Sequence, residues 1–167
     1  MTGEFRENAG GLIYSKDSFP GDIMMDFYAE MIPPCNNDLN FVFKTEGYDY
    51  VKNDAGKGYI ASLNGWWDAK TGIEKYPECR PAAQTSLFRA EPGRRYHIQT
   101  GCVDGHCFIF ADSRLLIEMT DDKPETFAKF GRFGFGTYCN KNRYSELTVY
   151  AIKWRVHEQQ YSPEGIF

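Results

Sequence analysis

The chain has 167 residues, enough for one domain with its own core, and 16% of them are aromatic, with 13 Phe, 11 Tyr and 3 Trp. A net charge of −4 and the lack of a basic run argue against nucleic acid, whose binding depends on neutralising phosphates. No apolar stretch approaches the length of a membrane span, so a membrane partner is not expected either. The N-terminus carries no apolar signal-peptide core, and the expected compartment is the cytoplasm.

Residues 1–18 are polar and supply a short or incomplete first strand, Leu12-Ile13-Tyr14. Asp22 to Met31 alternates cleanly, with Ile23, Met25, Phe27, Ala29 and Met31 on one face and Asp22, Asp26 and Glu30 on the other. A period of two over such a run predicts a half-buried strand. Pro33-Pro34 ends it, and Asn40 to Glu46 is the next strand. Gly47 to Lys57 reads as a loop and Gly58 to Leu63 as a strand. Asn64-Gly65 is either a hairpin turn into Trp66-Trp67 or a glycine kink within one longer strand. Asp68 to Ala83 lacks a β pattern and is expected to be a long loop, followed by a short strand from Gln84 to Arg89.

From Tyr96 onward the pattern is a meander. Tyr96–Val103 and His106–Ala111 flank Asp104-Gly105, a pair suited to a type I′ turn. Arg114–Met119 follows, then a polar loop, then a strand opening on Gly131-Arg-Phe-Gly-Phe135. Ser145 to Trp154 closes the pattern, with Leu147, Val149 and Ala151 on one face. The hairpin register sets Cys102 opposite Cys107, and places His97 with Gln99, Phe108 and Phe110 against a more apolar face of Ile98, Cys102, Cys107 and Ile109. The five cysteines show no metal-site spacing. Reduced thiols are expected, although the Cys102–Cys107 register allows a disulfide. Many short strands with frequent turns and no amphipathic helical period predict a single all-β domain over residues 1–167, an antiparallel two-sheet sandwich.

Arg95-Tyr-His-Ile-Gln, Phe108-Ile-Phe-Ala-Asp-Ser-Arg-Leu-Leu, Asp121-Asp122, Gly131-Arg-Phe-Gly-Phe135 and the last strand together resemble the concanavalin A-like lectin and glucanase jelly rolls. With Phe19-Pro-Gly-Asp-Ile-Met-Met-Asp-Phe27 and Ile117-Glu-Met-Thr-Asp-Asp122, they are closest to a poorly characterised bacterial, galectin-like family linked to plant-polysaccharide and glycoside use. The resemblance implies a saccharide or glycoside ligand in a groove on the concave sheet. No cofactor is expected, and the three histidines show no zinc spacing, so no metal site is assigned. Members of that family usually begin with more strands than this chain supplies before Phe19. An exposed sheet edge, and a homodimer formed through it, are therefore expected.

The residues suited to sugar recognition are Tyr59, Asn64, Trp66, Trp67 and Arg80, because rings stack on the C–H face of a sugar while amide and guanidinium groups reach its hydroxyls. Adjacent tryptophans on a strand point to opposite faces, so one of Trp66 and Trp67 is expected at the surface. Glu118, Asp122 and His97 are the candidates for acid–base work, and Glu118, Asp121 and Asp122 for a sugar hydroxyl or a calcium ion. Asp22, Asp26 and Glu30 are spaced roughly 13 Å apart on a strand, too far for a retaining pair at about 5–5.5 Å or an inverting pair at about 6.5–9.5 Å. The sequence leaves three readings: a carbohydrate-binding or carbohydrate-processing protein, a glycoside hydrolase or lyase using carboxylates, and a non-catalytic subunit completing a partner's sheet.

Overall fold

A computed structural model describes residues 10–52, 54–66, 68–78, 81–125 and 130–153. The strands are β1 (Gly10–Tyr14), β2 (Ile23–Met31), β3 (Leu39–Thr45), β4 (Tyr48–Asp49), β5 (Asp54–Ala55), β6 (Gly58–Gly65), β7 (Lys70–Tyr76), β8 (Pro81–Thr85), β9 (Arg95–Val103), β10 (His106–Ala111), β11 (Arg114–Thr120), β12 (Arg132–Tyr138) and β13 (Asn142–Ala151). They form a six-stranded sheet, β1-β12-β3-β6-β7-β8, and a five-stranded sheet, β11-β10-β9-β2-β13, with β4 and β5 as a small ribbon. Every pairing is antiparallel.

The alternation of β2 builds the core. Ile23, Met25, Phe27, Ala29 and Met31 are at most 2% exposed and meet Leu39, Phe41 and Phe43 of β3 and Tyr59, Ala61 and Leu63 of β6. Phe27 is central, edge-on to Phe41 at 5.5 Å and to Phe135 at 4.9 Å between ring centroids. Each such side chain contributes about 1.5–3 kcal/mol on burial, and each edge-to-face pair about 0.5–1.5 kcal/mol more. The Asp104-Gly105 turn forms as expected, with φ of 48° and 80°. It sets Cys102 opposite Cys107, both buried and both free thiols. Their mutual hydrogen bond pulls the Cys102 thiol below its ordinary range and pushes Cys107 above it.

Several local expectations change. Gly47 to Lys57 is not wholly a loop, because it holds the paired strands β4 and β5. Asp68 to Ala83 is not a loop: it contains β7 and the start of β8. In β7 only Ile73 is aliphatic, while Thr71 and Glu74 are buried with hydrogen-bonding partners, so the strand carries no alternating apolar signal. Chain 86–89 is not a strand, because β8 ends at Thr85. The meander stops after β11, and β12 crosses to the other sheet between β1 and β3. In β13 a register shift between Ser145 and Thr148 turns the face over, leaving Leu147 38% exposed while Val149 packs on the core. β6 ends at Gly65, with a register shift after Ser62, and Trp66 lies outside the strand, so Asn64-Gly65 is neither a two-residue hairpin turn nor a kink within a strand that runs on to the tryptophans. The strand before Phe19 is present as β1, paired along β12 from Gly10 to Tyr14.

Candidate functional site

A groove of about 420 Å³ lies on the outer face of the six-stranded sheet. Strand alternation makes it. Leu39 and Phe41 point into the core, so Asn40 between them points out; Ala61 and Ile73 point in, so Ile60 and its cross-strand partner Glu74 point out. Asn40, Ile60, Glu74, Tyr76 and the edge-side Tyr138 form the strand part of the lining, and Asn37, Asp38 and Trp66 rise from the adjoining loops.

Trp66 sits just past β6 with φ of 53°. Its indole lies over Gly72 of β7: a Cβ there would stand 3.0 Å from the ring and 2.8 Å from the Ala83 carbonyl. Gly72 is therefore the residue that lets the ring sit close against the sheet. The indole Nε1 donates to Glu74 Oε2 at 3.1 Å. Glu74 is only 6% exposed, so the bond gives a desolvated carboxylate one of its partners and fixes the ring.

Asp38 is half-buried at the end of the groove, in the left-handed region at φ 63°. Its amide donates to the Asn64 carbonyl at 2.9 Å, and its own carbonyl accepts from Asn140 Nδ2 at 3.0 Å and Asn142 Nδ2 at 2.9 Å. The buried Asn142 also donates to the Tyr144 hydroxyl at 3.1 Å, which anchors the network to the core. Ser62 Oγ donates to Asp38 Oδ1 at 3.1 Å. Desolvation pushes the Asp38 carboxyl up to about 6, against the opposing hydrogen bonds from Ser62 and Asn40.

The sequence-derived candidates do not converge on one place. Trp66 lines the groove; Trp67 and Arg80 lie outside the described residues. Tyr59 is fully buried, its ring stacked on Phe43 at 5.7 Å and its hydroxyl donating to Asp121 Oδ2 at 2.7 Å. Its alternation with Ala61 and Leu63 turns it inward. Asn64 is 4% exposed: Nδ2 donates to the carbonyls of Ala90 at 2.8 Å and Asn36 at 3.0 Å, and Oδ1 accepts from the Ala90 amide at 2.8 Å. It ties the loop ahead of the groove to the chain before β9.

The acid–base candidates belong to the other sheet or to its loops. His97 and Glu118 lie on the five-stranded sheet. His97 Nε2 is 2.7 Å from Asp26 Oδ1 and its ring stacks on Tyr28 at 5.0 Å. Burial pushes the Asp26 carboxyl up, but the hydrogen bonds from His97 and Gln99 outweigh it and hold the group below the usual range. Glu118 is 3.0 Å from His106 Nε2, and Asp122 is an exposed loop residue. Asp121 is engaged by Tyr59 and by Lys75 at 2.6 Å, so Glu118, Asp121 and Asp122 do not gather around one ion. Of the groove residues, only Trp66 was singled out from the sequence; Asn37, Asp38, Asn40, Ile60, Glu74, Tyr76 and Tyr138 were not. Asn40 alone carried a signal, as the polar alternate between Leu39 and Phe41.

No family model and no curated protein matches the sequence. Solved structures do match its shape. A carbohydrate-binding module, CBM66 from Bacillus subtilis, superposes with a TM-score of 0.65 at 19% identity, over 86% of this chain and 83% of that one. The fold is the concanavalin A-like, galectin-like jelly roll. A Bacillus subtilis protein of unknown function with a galectin-like fold matches this jelly roll with a TM-score of 0.69 at 13% identity, over 87% and 79% of the two chains. The exoplasmic/lumenal domain of VIP36, in its Ca2+/Man3GlcNAc-bound form, matches with a TM-score of 0.63 at 11% identity, over 96% and 79%. At these identities the likeness concerns the jelly roll itself.

Proposed function

We propose that this jelly roll is a carbohydrate-binding protein that takes its saccharide in the groove on the six-stranded sheet. Trp66 is the stacking platform, and Asp38, Asn40 and Glu74 meet hydroxyl groups around the ring. The observation that carries this reading is the fixing of Trp66: a ring laid over a glycine and held by a buried carboxylate, beside a second carboxylate and an amide. Sugars are recognised by this pairing of a flat apolar face with convergent polar groups. The matched carbohydrate-binding module and the Ca2+/Man3GlcNAc-bound VIP36 domain support the same reading. Calorimetric titration with a panel of neutral oligosaccharides tests it. Binding that disappears in Trp66→Ala, with the fold retained, is the expected result; no heat from any of them would defeat the proposal.

A second reading has one observation in its favour. Asp38, at about 6, titrates where a general acid works best, and it shares the groove with Glu74. Turnover of aryl glycosides that is abolished by Asp38→Asn would establish a glycoside hydrolase. Binding without turnover leaves the lectin-like reading in place. Pairing of two copies through sheet edges, which end at β1, β8, β11 and β13, is a separate proposal that light scattering after size-exclusion chromatography would decide.

A further inference from the structure

Two of the aromatic side chains that line the groove belong to strands well apart in the sheet. Trp66 lies over Gly72 of β7, and Tyr138 rises from β12, where it is 56% exposed. Strands β3 and β6 run between β12 and β7. The strands under the two rings are therefore separated by roughly 14 Å, at about 4.8 Å for each spacing.

The surface between them is low. Cross-strand pairing sets Gly136 beside Asn40, Asn40 beside Ser62, and Ser62 beside Gly72. This row crosses β12, β3, β6 and β7 with no side chain larger than asparagine. Tyr138 stands two residues beyond Gly136 on β12, so alternation brings its ring to the same face as the row. A Cβ on Gly136 would stand 3.1 Å from Asn40 Cβ, so the glycine keeps the trough open toward Tyr138. The polar groups lie along the middle: Asn40 itself, and the Asp38 carboxylate, which accepts from Ser62 Oγ at 3.1 Å.

A single sugar ring stacked on Trp66 does not span that separation. A linear chain laid across the strands does. It sets one unit on each aromatic ring, since each ring covers the C–H face of one sugar. The exposed Tyr138 ring then has apolar surface to bury when the chain binds.

We propose that Tyr138 is a second stacking platform and that the groove recognises a linear oligosaccharide in place of a single sugar. Trp66 takes one unit and Tyr138 another, while Asn40 and Asp38 meet the hydroxyl groups between them. This rests on the saccharide reading of the groove and adds chain length to it.

Calorimetric titration with neutral homo-oligosaccharides of glucose, mannose, galactose and N-acetylglucosamine, each from monomer to tetramer, tests this. In the series that binds, the trimer should exceed the monomer by about tenfold, the scale of one added aromatic stacking contact. Tyr138→Ala, a change at an exposed position, should reduce the trimer to the affinity of the monomer and leave the monomer unmoved. Tyr138→Phe should keep the gain. Affinity that does not grow with length overturns the proposal and leaves saccharide binding standing. So does a Tyr138→Ala variant that weakens all lengths equally or none of them, and so does loss of the gain in Tyr138→Phe. Failure of every series to bind overturns the saccharide reading itself.

Discussion

The indole nitrogen of Trp66 donates to the Glu74 carboxylate at 3.1 Å, and the ring it belongs to rests on Gly72. Each residue explains another. Glycine makes room for the ring, the ring gives a buried carboxylate a donor, and the carboxylate holds the ring in place. Trp66→Ala should therefore act twice. It should lower saccharide affinity by about thirtyfold or more, as loss of a central aromatic anchor does. It should also cost about 1.5–3 kcal/mol of stability by removing the indole's hydrogen bond to the Glu74 carboxylate. Trp66→Phe separates the effects: the stability loss stays and much of the stacking returns. Denaturant unfolding and calorimetric titration of both variants read the two quantities.

Asp38 gives a pH dependence with a definite sign. Its carboxyl titrates at about 6 in the folded chain against an ordinary value of 3.8. Between those values the folded state holds a proton that the unfolded state has released, so stability from this group falls as pH rises through the window. Asp38→Asn removes the contribution. Melting temperatures followed across the window should show the wild type losing ground to the variant as pH rises. Parallel curves would mean that the carboxyl titrates normally.

Tyr59→Phe should leave sugar affinity unchanged. The ring still stacks on Phe43, but Asp121 loses a donor at 2.7 Å and the Glu125 amide loses an acceptor at 3.3 Å. A stability loss of about 1–3 kcal/mol is expected for such an unmatched group, measured by urea unfolding beside a titration that does not move.

Asn64→Ala should be more damaging. It removes the paired bonds to Ala90 and the bond to Asn36, and it puts alanine at φ 55°, where asparagine is tolerated better. A loss of about 2–4 kcal/mol is expected, and with it weaker sugar binding, because the Asp38 amide hangs from the Asn64 carbonyl at 2.9 Å.

The two-sheet frame was legible because β2 and the β9–β10 hairpin announce themselves by alternation and by Asp104-Gly105. The groove was much less so. β7 hides its burial behind Thr71 and Glu74, whose hydrogen bonds replace apolar side chains, so the strand carrying Glu74 read as loop. Asp38 and Tyr138 reach the site through the β3–β12 pairing, a contact across most of the chain that no local pattern encodes. Trp66 was singled out by a rule for adjacent tryptophans on a strand, but it lies just past the end of β6, so that rule does not explain its place in the groove. Tyr59 could have been placed correctly from its alternation with Ala61 and Leu63. For His97 the face was readable but not the sheet: it lies with Asp26 and Gln99 on the five-stranded sheet, away from the groove.

The most direct test of saccharide binding in the groove is a two-dimensional nitrogen–proton NMR titration with a neutral trisaccharide. Comparison with Trp66→Phe assigns the Trp66 indole signal among the 3 tryptophans. A saccharide in the groove predicts saturable shifts of that indole and of the backbone amides of Asp38, Asn40, Glu74 and Tyr76, with His97 and Gln99 unmoved. Shifts confined to His97, Gln99 and Phe110, or a Trp66 indole that does not respond while the sugar binds, would contradict it.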